Sequence, residues 1–458
     1  MQFSYLEIEN LRQQVEEGNT RKVSWRRVQL KRLKEMLYQN ENDIINALFN
    51  DLAKPSIEAF FEIASLRQEI KIAEKELSNW IKPKSIGVPI WLRPGEASIR
   101  NIPLGCILII GAWNYPFMLT LQPLISALAA GNTAILKPSE FAPATSELIE
   151  RLITNYFPKN VVRVIQGDGS LTENLLNEKF DHIFFTGGSK IGKKIMAAGA
   201  NQLTPVTLEL GGKNPALVIE KANLDITAKR IIWGKSLNSG QTCLAPNHLL
   251  IQKELKEDLI NKMKLQITNF YGQAPEKSND LASINIRQFK RVKELVEEAK
   301  KSNMIIFGGA INLSERKVAP TVINIEALDD PIMSEEIFGP VIPIKTISNL
   351  SNGLELIRKQ QKPLAIYMFG GSTQDQEKLL EETSSGGVCF NDVVLQAGIP
   401  ELPFGGIGFS GIGKYHGKSG FDTFSHQRSI FRRPFWLDLK FRYPPYKLDI
   451  SFLNKLLR

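Results

Sequence analysis

A chain of 458 residues, 43% hydrophobic and 23% charged, lies near the globular averages, which excludes a disordered chain, and it is too long for one simple core, which implies two or three domains. Three scattered cysteines and four scattered histidines exclude a disulfide framework and a zinc site of close ligand spacing. The net charge of +9 does not mark a nucleic-acid binder, because much of it lies in residues 425–458, where eight Lys/Arg stand against Asp438 and Asp449.

The opening "MQFSYLEIENLRQQVEEG" is polar and acidic, without the basic and apolar segments of a secretory signal, so a cytoplasmic protein is expected. Leu30, Leu33 and Leu37, then Ile44, Ile45, Leu48 and Phe49, recur at three- and four-residue spacing, and the first 80 residues read as helices with one buried face. The texture changes at "IKPKSIGVPIWLRPGEASIRNIP", where Pro94-Gly95 signals a turn between short extended pieces, a hairpin or crossover arm. Residues 102–130 are strongly apolar, but Gly105, Gly111, Asn114 and Pro116 keep any run short of the roughly 18–20 residues of a membrane span. The better parse is strand "CILIIGAW", turn "NYPF" and helix "LTLQPLISALAAG".

Strand and helix then alternate through "TAILKP", "SELIERLITNYF", "VVRVIQ", "TENLLNEK", "HIFFTGG", "SKIGKKIMAAGA" and "VTLELGG". This rhythm builds a parallel sheet covered on both faces, the doubly wound nucleotide-binding pattern. A second alternating stretch runs from about Asn214 to Ser410, and the cleft between two such α/β domains is the expected site. The end of the chain mixes its basic residues, Lys447, Lys455 and Arg458 among them, with Phe431, Phe435, Trp436, Phe441, Tyr443 and Phe452. That mixture suits a subunit interface or peripheral contact with an anionic membrane, but a plain structural tail is the favoured expectation.

Three places carry candidate chemistry. Gly187, Gly188 and Gly192 stand where a strand turns into a helix, and the exposed amides of such a turn attract a phosphate, although a tight strand-to-helix turn explains the glycines equally well. Glu209 closes an apolar strand, where burial would raise its pKa towards the range useful to a general base; an exposed strand-end glutamate is the plainer reading. Cys243 lies in a polar loop at the domain junction, open to approach as a nucleophile must be. Cys106 in "GCILII" and Cys389 in "GVCFND" read instead as buried, inert thiols.

"AWNYPF", "KPSE", "LELGGKNP", "SGQTCLAP", "EEIFGP" and "LPFGGIGFSGIGKYHGKSGFDTFSH", in this order along nearly the whole chain, resemble the aldehyde dehydrogenases. The "YHGK…FDTFSH" segment and "RYPPY" resemble the class 3 branch, whose members act on fatty and aromatic aldehydes. The resemblance implies two doubly wound α/β domains plus a small β oligomerisation arm. Residues 1–80 and 101–210 would bind NAD, residues 211–410 would be catalytic, and residues 81–100 with 411–458 would form the arm and tail of a homodimer.

It also implies roles. Cys243 would attack the aldehyde to give a thiohemiacetal and then a thioester, Glu209 would activate the hydrolytic water, and the Asn114 side chain with the Cys243 backbone amide would hold the oxyanion. Asn114 alone is otherwise a turn-capping residue before Tyr115-Pro116. Lys137 and Glu140 would meet the adenosine ribose, with Glu140 favouring NAD over NADP while still admitting both. Gly187, Gly188, Ser189 and Gly192 would face the pyrophosphate, and Glu336 and Phe338 the nicotinamide end. Gly188 replaces a Ser or Asn frequent in relatives, which shifts the phosphate grip to backbone amides and Ser189. Phe409 and Gln396 depart from the family pattern in ways expected to reshape the substrate funnel. The closing "SFLNKLLR" lacks the hydrophobic anchor of membrane-bound fatty aldehyde dehydrogenases, so no integral membrane attachment is expected. Two rival readings remain: acyl transfer to coenzyme A instead of hydrolysis, which Glu209 disfavours, and an idle binding protein on the same fold, which the joint presence of Asn114, Glu209 and Cys243 disfavours.

Overall fold

The computed structural model describes residues 5–438, 440–446, 449–451 and 454. Its centre is the strand Cys106–Ile110, every residue of which is buried. Side chains alternate across a strand, and the two sets enter different cores. Ile107 and Ile109 pack among the helices Val23–Gln39, Ser56–Ile81 and Met118–Ala130, whereas Cys106, Leu108 and Ile110 meet Ile8, Leu11, Leu175 and Ile195. A strand apolar at every position is therefore one covered on both faces, as the parallel sheet requires.

Cys106–Ile110 lies between Thr133–Lys137 and His182–Thr186. Val162–Val164 flanks the former and Val206–Glu209 the latter, all five parallel. In chain order these strands run 3-2-1-4-5 across the sheet, so the connections reverse direction beside Cys106–Ile110, and the crevice beyond the strand ends at that switch point is where such folds bind ligands. A sixth strand, Gly411–Ile412, joins antiparallel to Val206–Glu209. Residues 411–412, expected in the tail, thus complete the first sheet.

The second sheet has seven strands. His248–Gln252 is central, between Pro215–Val218 and Val341–Ile347, and it too is buried on both sides, Leu249 and Ile251 in one core and Leu250 in another. Its antiparallel edge is Ile305–Phe307. The expected arm is a three-stranded antiparallel sheet in which Lys84–Ile86 and Ser425–Arg432 flank Glu96–Pro103. It extends to residue 103, past the boundary expected at residue 100. In the tail, Phe435 and Trp436 are exposed, while Lys447, Phe452, Lys455 and Arg458 lie outside the described residues.

One packing detail fixes the helix that follows the central strand. Met118–Ala130 ends at Gly131, whose φ of +91° is left-handed, and the buried Arg26 donates to the Ala129 carbonyl at 3.1 Å. A Cβ at residue 131 would come within 2.8 Å of that guanidinium. Gly131→Ala should therefore lower the unfolding free energy by about 2 kcal/mol, from the left-handed backbone together with a displaced Arg26. Urea unfolding checks this, and an unchanged midpoint would refute it.

Candidate active site

A cavity of about 1180 Å³ opens where the two sheets face each other, reaching from Asp168 and the Gly187–Ser189 turn on the first to Cys243 and Leu364 on the second. It exceeds the roughly 300–1,000 Å³ of a small-ligand pocket and has room for two ligands.

Asn114 enters it from the turn between Cys106–Ile110 and Met118–Ala130, at the switch point. The residue is 5% exposed. Its side-chain Nδ2 donates to the Gln241 carbonyl at 3.0 Å, which leaves the second amide hydrogen for a ligand. Its backbone carbonyl accepts twice, from Lys54 Nζ at 3.1 Å and from Asn238 Nδ2 at 2.7 Å.

Cys243 follows a kink. The helix Leu224–Ser236 ends, and Asn238, Ser239 and Gly240 then take positive φ values of 51°, 53° and 76°. Consecutive left-handed residues are costly, and such strain persists only where surroundings enforce it. Here they do: Gln241 Nε2 donates to the Asn238 and Ser283 carbonyls and its Oε1 accepts from the Asn285 amide. Beyond the kink, Asn214 Nδ2 donates to the Cys243 carbonyl at 2.6 Å. The thiol is half-buried and lines the cavity. Burial, with the nearby Glu336 and Glu209 carboxyls, pushes its pKa up to about 12.

Glu209 is the last residue of its strand, paired with Thr186 on one side and Gly411 on the other. Its side chain lines the same cavity, is 3% exposed, and neither carboxyl oxygen has a protein partner. Burial holds its pKa well above the ordinary value. A buried polar group without partners is rare, and this one faces the cavity.

The remaining expected residues fall at two ends. The Gly187–Gly188 turn opens the helix Ser189–Asn201 with no side chain capping its first amides, and a Cβ on Gly188 would meet nothing within 4 Å, so the turn is an open anion cradle. Gly192 does not line the cavity; a Cβ there would lie 2.8 Å from Leu210 Cδ2, so its role is to let the helix lie close on the sheet. Lys137 ends its strand and its Nζ donates to Glu140 Oε2 at 2.5 Å, both facing the cavity. Glu336 lies against Gly211, where a Cβ would come 1.9 Å from its Oε2. Burial raises its pKa to about 7 despite Lys235, Arg291 and Lys213 nearby. Phe338, at a strained φ of 44°, presents its ring edge-on to Trp113 at 5.6 Å.

The family model for aldehyde dehydrogenases matches residues 8–430. The chain belongs to the aldehyde dehydrogenase family. It is 44% identical to "Aldehyde dehydrogenase family 3 member H1" of Arabidopsis thaliana over 96% of this chain and 91% of the relative. It is 41% identical to the "Aldehyde dehydrogenase, dimeric NADP-preferring" of Rattus norvegicus, over 96% and 97%. A substrate-bound structure of Staphylococcus aureus AldH superimposes with a TM-score of 0.96, at 39% identity and full coverage of both chains. This aldehyde dehydrogenase is thus an oxidoreductase acting on aldehydes, with the fold expected from its motifs.

Three expectations about the aldehyde dehydrogenase are qualified by the structure. Phe409 lines the cavity beside the glycine turn, its carbonyl 3.4 Å from Ser189 Oγ and its ring 5.5 Å from Lys193 Nζ. Cys389 is half-buried, not buried, because its strand Gly387–Phe390 is the sheet edge. Gln396 lies off the cavity wall, 3.4 Å from Tyr367 OH. Sequence reading also missed Lys213, Lys235 and Arg291, which surround Glu336. Lys235 is fully buried, and burial brings its pKa down to about 7. The signal was present, since Lys235 interrupts the apolar side of a helix. Among the described residues no helix is long and apolar enough to cross a membrane, and no group of metal-ligating side chains occurs.

A thiol with its pKa near 12 alkylates only through a trace of thiolate, which grows tenfold per pH unit below the pKa. Alkylation of Cys243 by iodoacetamide in the ligand-free enzyme should therefore climb steadily from pH 7 to 10. A half-maximum near pH 8.5, the ordinary cysteine pKa, with a plateau about one unit above it, would show the thiol unperturbed.

Proposed function

We propose that this enzyme oxidises medium- or long-chain aliphatic and aromatic aldehydes to carboxylic acids, with NAD as the favoured acceptor and NADP accepted as well. What carries the reading is the meeting of Cys243, Asn114 and the unpartnered Glu209 carboxyl in one cavity. The chain lengths rest on likeness to family 3 relatives, and an apolar wall that includes Trp113, Leu119 and Phe404 supports them.

In this reading the Cys243 sulfur bonds to the carbonyl carbon, and the oxygen takes up negative charge beside Asn114 Nδ2 and the Cys243 amide. One such donor contributes about 3–4 kcal/mol of transition-state stabilisation. When bound, the oxidised dinucleotide supplies the positive charge that favours the thiolate and the acceptor for the hydride whose loss leaves a thioester. Glu209 then takes a proton from water, the hydroxide oxygen adds to the thioester carbon, and the carbon–sulfur bond breaks to release the acid. Its unpartnered carboxyl on the cavity wall supports hydrolysis over acyl transfer to coenzyme A.

The open amides after Gly188 fit a pyrophosphate, and Glu336 with Phe338 would hold the nicotinamide end. Lys137 and Glu140 would bind the adenosine ribose. Glu140 is partly exposed, so it can swing away from a 2′-phosphate and leave Lys137 to meet it, which accords with the NADP preference stated for the rat relative. Homodimer formation is part of the reading. The exposed strand Lys84–Ile86 and the exposed Ile90, Trp91 and Phe431 of the arm support it, as does the dimeric rat relative. So is a cytoplasmic setting, which the three free cysteines suit.

Cys243→Ser should abolish aldehyde oxidation, whereas Glu209→Gln should give one burst of NADH equal to the enzyme concentration and then stall. Stopped-flow absorbance with hexanal and benzaldehyde reads both, and the absence of a burst would remove Glu209 from the hydrolytic step. Glu140→Ala should shift the NADP/NAD ratio of kcat/KM towards NADP by about tenfold, or ~1.4 kcal/mol. An unchanged ratio would mean that Glu140 does not sense the 2′ position.

A further inference from the structure

Behind the cavity wall lies a set of charges that the chemistry above does not use. Lys54 and Glu62 form a fully buried ion pair at 2.6 Å, and Glu58, one helical turn before Glu62 on the helix Ser56–Ile81, is 9% exposed. None of the three lines the cavity. Burying such a pair is expensive, and apolar residues of similar size are often as stable or more so, which makes stability a poor reason for its presence.

Their bonds lead to the reacting groups. Lys54 Nζ donates to the Asn114 carbonyl and sits 4.1 Å from the centre of the Tyr115 ring. The other oxygen of Glu62 accepts the Met118 amide at 2.9 Å, at the start of the helix that follows the Asn114 turn. Glu58 accepts the Asn238 amide at 2.8 Å, inside the left-handed kink that leads to Cys243. Asn238 closes the circuit by donating to the same Asn114 carbonyl. Both lone pairs of that carbonyl are thus taken, one by each branch.

We propose that Lys54, Glu62 and Glu58 are positioning residues for the oxidation. The Lys54–Glu62 pair pins the Asn114 turn of the first sheet, Glu58 pins the Asn238 kink of the second, and together they hold the oxyanion donor and the nucleophile at one spacing. This inference rests on the roles given to Asn114 and Cys243 above.

The test replaces the pair by apolar side chains of similar length, Lys54→Met/Glu62→Met, in the full-length enzyme. Thermal unfolding should stay at or above the wild-type midpoint, and NAD affinity by fluorescence quenching should not change. The kcat for hexanal should nevertheless fall by about 100-fold, the cost of a misplacement near 1 Å. A purely structural pair gives the opposite result, since the repacked core would restore activity with stability; a fall of less than about tenfold in a folded double variant overturns the proposal. Should the double variant not fold, Glu58 decides. Glu58→Leu removes the acceptor of the Asn238 amide and lowers kcat, and Glu58→Gln, which keeps an oxygen there, recovers at least about fivefold of that loss. Equal kcat values for Leu and Gln overturn the proposal. Asn114→Ala, measured alongside, separates the two levels. If it is unimpaired, the oxyanion role falls and this inference with it; if it is impaired while the Lys54 and Glu58 variants are not, the inference alone fails.

Discussion

Asn114 hangs from the first sheet and Cys243 from the second, and the Asn114 carbonyl is where the two are tied. It accepts from Lys54 on one side and from Asn238 on the other, so neither turn can shift without breaking a buried hydrogen bond. Buried donors left without acceptors cost more than the bonds themselves gain. The other fixed points agree with this one: Asn214 holds the Cys243 carbonyl, and Gln241 clamps the strained residues before it. The backbone that carries Asn114 and Cys243 therefore has little freedom left.

The electrostatics point the same way. Glu209, Glu336 and Cys243 are all pushed towards their uncharged forms by burial, and Lys235 is pushed the same way from the other side. Low local dielectric makes each of these groups sensitive to any charge that arrives. A charge brought beside these groups therefore changes their protonation more than it would in water. A pre-ionised thiolate would be exposed to oxidation at all times, whereas a protonated one is protected until a cation is near.

Much of this was legible in the sequence. The alternation of short apolar runs with helical segments gave the parallel sheets because strands buried on both faces leave no polar position. Cys243 stood apart from Cys106 because a polar loop and an apolar strand are chemically distinct settings. Less visible were features that exist only in three dimensions. Glu58 and Glu62 look like the solvated face of a helix and Lys54 like a loop charge before it, since charge in a sequence does not reveal partners 56 to 180 residues away. Gly411–Ile412 is too short to show a period. Phe409 lines the cavity, but its contact with the glycine turn follows from a hairpin that folds back over that turn, which the sequence does not display. Gly192 belonged to the right motif but serves packing, a distinction that depends on where Leu210 points.

The left-handed run at Asn238, Ser239 and Gly240 also limits how this enzyme can be redesigned. Those three positions tolerate few side chains, because most residues cannot hold that backbone without strain. The segment that leads into Cys243 is in effect closed to variation. Efforts to fit other aldehydes would have to work through the other walls, at Trp113, Leu119 and Phe404, none of which has a left-handed backbone. Libraries that spare residues 238–240 and diversify those three should yield far more active clones than libraries spread evenly around the cavity.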